Sequence, residues 1–292
     1  ESTQNIIYSC NCNSIDFANI SINSITGDIT FENIDDSNGE ITLQITAEDD
    51  GSTENEGDGN LYTQFYTLKI NAVNDVPSFI KGEDEFILED AGQIIIPSWA
   101  TDITKGPLNE SFQELSFLVT TDNDALFKNS QVPIVDEISG NLTYQIADNL
   151  NGEVEVSVIL KDDGDTDFGG VDESDIQILN IYIEAVNDAP SFTLGDSSLV
   201  NINEDGFENE DGLEKSISDW TTDISKGPAD EVGQKLFWNI TSSETHATIF
   251  NQFPAFIFND DSTMATIKYS INENFNGIAL ITVNLSDDGG GE

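Results

Sequence analysis

The sequence predicts an all-β chain of tandem Greek-key, seven-stranded β-sandwich repeats strung end to end as a rod. Three observations predict it. A framework of marker residues recurs three times, apolar residues alternate with polar ones ahead of each marker, and no segment sustains a 3.6-residue apolar period between helix caps.

The framework is built on Asp49-Asp50-Gly51, Asp162-Asp163-Gly164 and Asp287-Asp288-Gly289, whose first residues are 113 and then 125 positions apart. Ten residues before each first Asp stands a glycine, Gly39, Gly152 or Gly277, each preceded by Asn. Eighteen residues before it stands an aromatic residue, Phe31, Tyr144 or Tyr269. Val73-Asn74-Asp75-Val76-Pro77-Ser78-Phe79 returns as Val186-Asn187-Asp188-Ala189-Pro190-Ser191-Phe192. The stretch around Trp99, with Asp102-Ile103-Thr104-Lys105-Gly106-Pro107, returns around Trp220 as Asp223-Ile224-Ser225-Lys226-Gly227-Pro228.

The strands follow from period-two alternation, which buries one face of a strand. It runs through Ile41, Leu43, Ile45 and Ala47, through Val154, Val156, Val158 and Leu160, and through Ala279, Ile281, Val283 and Leu285. A second set comprises Tyr66, Leu68, Ile70 and Ala72, with Leu179, Ile181, Ile183 and Ala185. Short strands separated by Gly, Asn and Asp turns indicate a sandwich. Trp99, Trp220, Tyr144 and the strand phenylalanines are the expected core. Pro77 and Pro190 mark inter-domain linkers. The expected units are residues 1–77, the C-terminal part of a repeat; 78–190, a complete repeat; and 191–292, a repeat lacking its last strand. The chain therefore reads as a window on a longer one.

Charge bounds the function. Nine Lys and Arg stand against 56 Asp and Glu, a net charge of −47, while a hydrophobic fraction of 37% in ordered alternations argues against disorder. Nucleic acid and anionic membrane surfaces need a basic face that this chain lacks. No apolar run is long enough to span a bilayer, and the first residues lack a signal-peptide pattern. Such a chain needs counter-cations, supplied by bound multivalent metal, by salt, or by both. Cys10 and Cys12 are too few for a disulfide scaffold or a zinc site; a bridge between them, bonds elsewhere and free thiols all fit the sequence. A single histidine, His246, argues against Ser-His-Asp and zinc-hydrolase chemistry, and the chain reads as no enzyme. Asp163-x-Asp165-x-Asp167 departs from an EF-hand at Phe168 and Ser174. Taken singly, Asp-Asp-Gly also suits a plain turn and Asn-Asp-x-Pro a stiff linker.

Ala47-Glu48-Asp49-Asp50-Gly51, then an alternating strand, then Asn74-Asp75-Val76-Pro77-Ser78-Phe79, then Glu89-Asp90, together resemble a cadherin repeat. The shorter Val-Asn-Asp-Ala-Pro form resembles the cadherin-like and immunoglobulin-like tandem repeats of giant secreted surface proteins and adhesins. That resemblance implies an extracellular location and Ca²⁺ held between consecutive repeats, which suits an ion that takes 6–8 hard oxygen ligands. Carried over residue by residue, it implies Asp35, Asn74, Asp75, Asp122, Asp124 and Asp162 or Asp163 at the first junction. At the second it implies Glu89, Asp148, Asn187, Asp188 and Asp287 or Asp288; Glu89-Asp90 and Glu204-Asp205 also suit plain surface acidic pairs. The third copy has Ser243-Glu244-Thr245 where the second has Asp122-x-Asp124, so the first junction is expected to bind more calcium ions, or to bind them more tightly, than the second. Two functions follow: a calcium-stiffened structural or adhesive segment whose partners are neighbouring repeats, or the body of an extracellular filament or coat in which identical chains pack laterally.

Overall fold

The computed structural model describes residues 4–12, 15–51, 60–195 and 214–289; Glu204-Asp205 lies outside them. The described chain is all-β, with one four-residue α-helix, Glu244–Ala247, and a few 3-10 turns. Its sheets fall into three consecutive groups, and no sheet takes strands from two of them.

The middle group is a Greek-key sandwich of seven passes, the first two each broken into short strands. One sheet orders Leu115–Thr121, Gly152–Asp162, Gln177–Glu184 and Glu85–Leu88, the last pairing parallel and the rest antiparallel. The facing sheet orders Ile134–Val135, Leu142–Gln145 and Gln93–Ile96, with Ser78–Ile80 paired to Thr101–Thr104 beside it. The alternation read from the sequence sets which side chains meet. Val156, Val158 and Leu160 point inward with no exposed surface, against Leu142, Tyr144, Leu179 and Ile181. Trp99 and Tyr144 are buried.

The third group repeats this plan with Ser191–Leu194, Glu214–Ser225, Ala265–Ile271 and Phe250–Phe258 in one sheet and Leu236–Ser242 against Ile281–Asp287 in the other. The first group holds Ile6–Cys10, Gly39–Asp49 and Leu61–Ile70 in one sheet and the hairpin Ala18–Ile22/Ile29–Asn33 in another. Local backbone repeats as well. Left-handed Ser98, Asp102 and Gly106 recur 121 residues later as Asp219, Asp223 and Gly227. Each linker phenylalanine meets the same strand position edge-on, Phe79 on Phe117 and Phe192 on Trp238, both at 5.0 Å between ring centres. Cys10 and Cys12 are bridged to each other.

The expectation that strand phenylalanines are core needs correction. Phe31, Phe65, Phe86 and Phe237 are all more than half exposed. Phe86 and Phe237 alternate with inward-pointing Ile87 and Trp238, so a period of two puts them on the outer face. Phe86 stacks there on Tyr182 at 4.8 Å. Trp220 is only partly buried, packed at the edge of the smaller third core.

Truncating a fully enclosed side chain removes its contacts and leaves a cavity. Leu160→Ala is expected to destabilise the chain by about 2–5 kcal/mol, against less than about 1 kcal/mol for Leu118→Ala on the outer face; chemical denaturation midpoints measure the difference.

Candidate metal centre

The Asp-Asp-Gly turns divide their work between two carboxylates. In each copy the first Asp accepts from the glycine N–H two residues on: Asp49 from Gly51 at 2.8 Å, Asp162 from Gly164 at 2.9 Å, Asp287 from Gly289 at 3.0 Å. This is an Asx turn, favoured by a short acidic side chain. The second Asp reaches across to the backbone N–H preceding the neighbouring strand: Asp50 to Asn5, Asp163 to Glu114, Asp288 to Lys235. Asp163 and Asp288 therefore anchor strand ends, while Asp162 and Asp287 belong to the turn that meets the linker.

At the first junction Asn74 is buried and fully used. Its Nδ2 donates to Asp162 Oδ1 at 3.1 Å and to the Val171 carbonyl at 2.6 Å, and its Oδ1 accepts from Gln113 Nε2 at 2.5 Å. A Cβ on Gly164 would overlap Asn74 Oδ1, so the turn needs glycine for this close approach. Asp75 donates its N–H to Glu110 Oε1 at 2.9 Å. Glu110 comes from the 3-10 turn Leu108–Glu110 and is 4% exposed. Gly106, at φ 120°, leaves room for that carboxylate, and Lys105 Nζ closes the loop on the Ser111 and Gln113 carbonyls. On the other side a cavity of about 250 Å³ is lined by Asp35, Asp36, Asp75 and Asn109.

The second junction repeats the design. Asp188 N–H donates to Glu231 Oε1 at 2.6 Å, Gln234 Nε2 donates to Asn187 Oδ1 at 2.9 Å, and Gly289 leaves space for Asn187. Glu89, 2% exposed, accepts from Val186 N–H at 2.8 Å. Asn151 Nδ2 bridges Glu89 at 3.4 Å and Asp230 at 3.0 Å.

The electrostatics are one-sided at both places. Burial raises the Glu110 carboxyl above its ordinary value, and Asp75, Asp162 and Asp36 add to the rise. Burial likewise raises Asp188, with Asp90, Glu231 and Asp230 adding repulsion. Among the described residues the buried side-chain atoms without a hydrogen-bond partner include Asn109 Oδ1, Glu110 Oε2, Gln113 Oε1 and Asp162 Oδ2 at the first junction. At the second they include Asp188 Oδ2, Glu231 Oε2 and Gln234 Oε1. All seven are carbonyl or carboxylate oxygens, the hard donors that Ca²⁺ takes. No three His, Cys, Asp or Glu side chains among the described residues are drawn together tightly enough to form a metal cage as they stand. The donor chemistry fits a hard cation, and the orphaned oxygens are where one would be held.

Several implied positions fall elsewhere. Asp122 and Asp124 are not brought to the first junction. Leu115 pairs with Asp162 and Thr121 with Val156, so the two aspartates sit at the far end of that strand. There Asp122 Oδ1 accepts from Glu155 N–H at 3.0 Å and Asp124 Oδ1 from the Thr121 hydroxyl at 2.5 Å. Asp148 is exposed and paired with Lys128 at 3.1 Å; it is the neighbouring Asn149 whose N–H reaches Asp90. Ser243 caps the short helix Glu244–Ala247. The difference drawn between the junctions from Asp122-x-Asp124 therefore loses its basis. Glu110, Gln113, Glu231 and Gln234 were missed, although Glu follows Gly106 and Gly227 by four residues and Gln by seven in both copies.

No family model matches the chain, and no curated protein matches it. Among solved structures it is similar to the human desmocollin-1 ectodomain, at 15% identity and a TM-score of 0.27 over 98% of this chain and 49% of that one. It is also similar to mouse protocadherin-24 EC1-3, at 12% identity and a TM-score of 0.38 over 91% and 77% of the two chains. A third is the surface layer protein SbsC, domains 4–9, at 12% identity and a TM-score of 0.22 over 97% and 38%. The chain thus spans about half the length of the desmocollin-1 ectodomain. Similarity at this level transfers no function.

Two outcomes are expected. Gly164→Ala displaces Asn74 and loosens the first linker, so limited proteolysis near 73–77 accelerates while cleavage near 186–190 does not. In metal-free protein, Glu110 and Asp188 bind their protons more tightly folded than unfolded. Their contribution to stability is therefore complete below the unfolded value near roughly 4 and is lost as pH rises through the folded value. Melting temperature in chelator should rise on acidification from neutral pH, and less so in Glu110→Gln.

Proposed function

We propose that this chain is a non-enzymatic, extracellular segment of repeats, divided at 1–77, 78–190 and 191–292, whose two junctions are stiffened by calcium. The observation that carries the reading is that, among the described residues, all seven buried, unpartnered carbonyl and carboxylate side-chain oxygens lie at the linkers and the turns facing them, the orphaned hydroxyls of Tyr144, Thr221 and Tyr269 lying elsewhere. A buried acceptor without a donor costs stability, and a hard cation satisfies several at once. The bound ion would supply positive charge and coordination. The chain's own residues do the rest: Asn74 and Asn187 fix the linker against the next turn, while Glu110 and Glu231, held over Gly106 and Gly227, present one carboxylate oxygen each. Asp75, Asp162 and Asp36 face the first of these, and Asp90 and Asp230 stand near Asp188 at the second.

The sequence resemblance to tandem surface-protein repeats points the same way on location and role. The net charge of −47 gives a second reason for cations, since each bound Ca²⁺ removes two charges of self-repulsion. Neighbouring repeats are the partners in this reading.

Calorimetric titration of Ca²⁺ into the full chain tests it. Binding with a rise in melting temperature that follows ligand concentration is expected. Glu110→Gln and Glu231→Gln should each weaken one class of sites by on the order of tenfold, and Asp122→Asn should leave both unchanged. No heat and no melting shift in millimolar calcium would overturn the reading.

A further inference from the structure

Among the described residues the strand Leu115–Thr121 is the outer edge of its sheet, paired only with Gly152–Asp162. Asp122 N–H donates to the Glu155 carbonyl and Glu114 N–H to Asp163, so even-numbered residues turn their backbone groups toward the partner strand. Leu115, Phe117, Val119 and Thr121 therefore turn theirs outward, to the free edge. Among the described residues the equivalent strand of the third group, Leu236–Ser242, is likewise paired only with Ile281–Asp287. In the first group the same edge is closed, because Tyr8 N–H donates to the Ser24 carbonyl at 2.9 Å.

Exposed edges normally carry a guard: a charge, a proline, a bulge, or extreme shortness. Several other edges here have one, though Gln93–Ile96 and Ala18–Ile22, shorter strands of four and five residues, do not. Phe250–Phe258 carries Pro254 and two register shifts, Ser78–Ile80 is three residues long with a shift, Ser191–Leu194 has a shift, and Glu85–Leu88 begins with a charge. Leu115–Thr121 and Leu236–Ser242 have none, and they pair without a shift. Neither contains a charged residue, in a chain where 22% of residues are charged. In both, the inward-facing residues are only partly buried, whereas those of Gly152–Asp162 are fully enclosed.

We propose that these two edges pair laterally, each with the same edge of a second copy of this chain, by antiparallel strand addition about a two-fold axis. The side chains favour the identical strand as occupant. Centred on Leu118, the pairing sets Phe117 opposite Val119, Ser116 opposite Thr120, and Leu118, 49% exposed, against its counterpart. The outward-turned residues fall opposite one another in this register, giving about eight backbone hydrogen bonds. Centred on Asn239, Trp238 meets Ile240 and Phe237 meets Thr241. An isologous contact of this kind needs no second surface. The uncharged window is the part of so acidic a molecule that two copies can bring together. Its ends set a condition, because Glu114 of one copy comes opposite Asp122 of the other. Association must therefore strengthen as salt screens those carboxylates and the net charge. The proposal does not depend on calcium.

Sedimentation velocity of the full chain over a concentration series, at low and high sodium chloride and with chelator or calcium, tests it. Self-association in chelator that grows with salt is expected. Leu118→Glu with Asn239→Glu, both at exposed positions, sets like charges directly opposite and should weaken it by at least about tenfold. Val119→Pro removes an outward N–H without touching the ladder to Gly152–Asp162 and should weaken it too. Circular dichroism checks that each variant is folded. A wild-type monomer at every salt up to about millimolar protein overturns the proposal. So does association that survives in the folded glutamate variant, or that needs calcium.

Discussion

The structure turns on one contact, the insertion of a linker asparagine into the turn of the repeat that follows. Asn74 spends both ends of its amide there, donating to Asp162 and Val171 and accepting from Gln113. A buried amide satisfied on every side is fixed in direction as well as position. Its neighbours inherit that order. Asp75 can reach Glu110 because Asn74 is held, and Pro77 and Phe79 enter the middle core in register behind it. Gly164 is part of the same contact, since no other residue leaves room for the asparagine oxygen.

Around this contact the chain places far more acceptors than donors. The lysine near each junction does not offset them: Lys105 and Lys226 turn to backbone carbonyls of their own loops. The loop is thus shaped by a cation that leaves the carboxylates alone. Elsewhere the scarce lysines do pair with acids, as Lys161 does with Asp172 and Glu173. Unpaired oxygen is concentrated where two repeats meet.

Much of the architecture was legible in the sequence. Val154, Val156, Val158 and Leu160 alternate because one face of their strand is buried, and the tripled spacing fixed which segments correspond. Asn74, Asp75, Asn187 and Asp188 could be found because a linker has only one place to be. Asp122 and Asp124 could not be placed from spacing, since a seven-residue strand spans roughly 20 Å and acidic residues bound it at both ends. Glu110 and Glu231 were hidden for a different reason. Turns of three and five residues are too short to show periodicity, and an isolated Glu among 56 acidic residues carries no signal until its repeated offset from Gly106 and Gly227 is noticed. The exposed phenylalanines mark the same limit: composition says they are apolar, and only the phase of alternation says which way they face.

The first strand of the middle repeat, Ser78–Ile80, is three residues long and pairs with Thr101–Thr104 at only two positions across a shift in register. It is also where the linker enters, so tension on the chain loads it before any longer strand. So short a ladder adds little hydrogen bonding beside the eleven-residue strand Gly152–Asp162 behind it. What holds it is Phe79, buried in the middle core edge-on against Phe117, so a pull on the linker is carried by the core of the repeat and not by its first ladder.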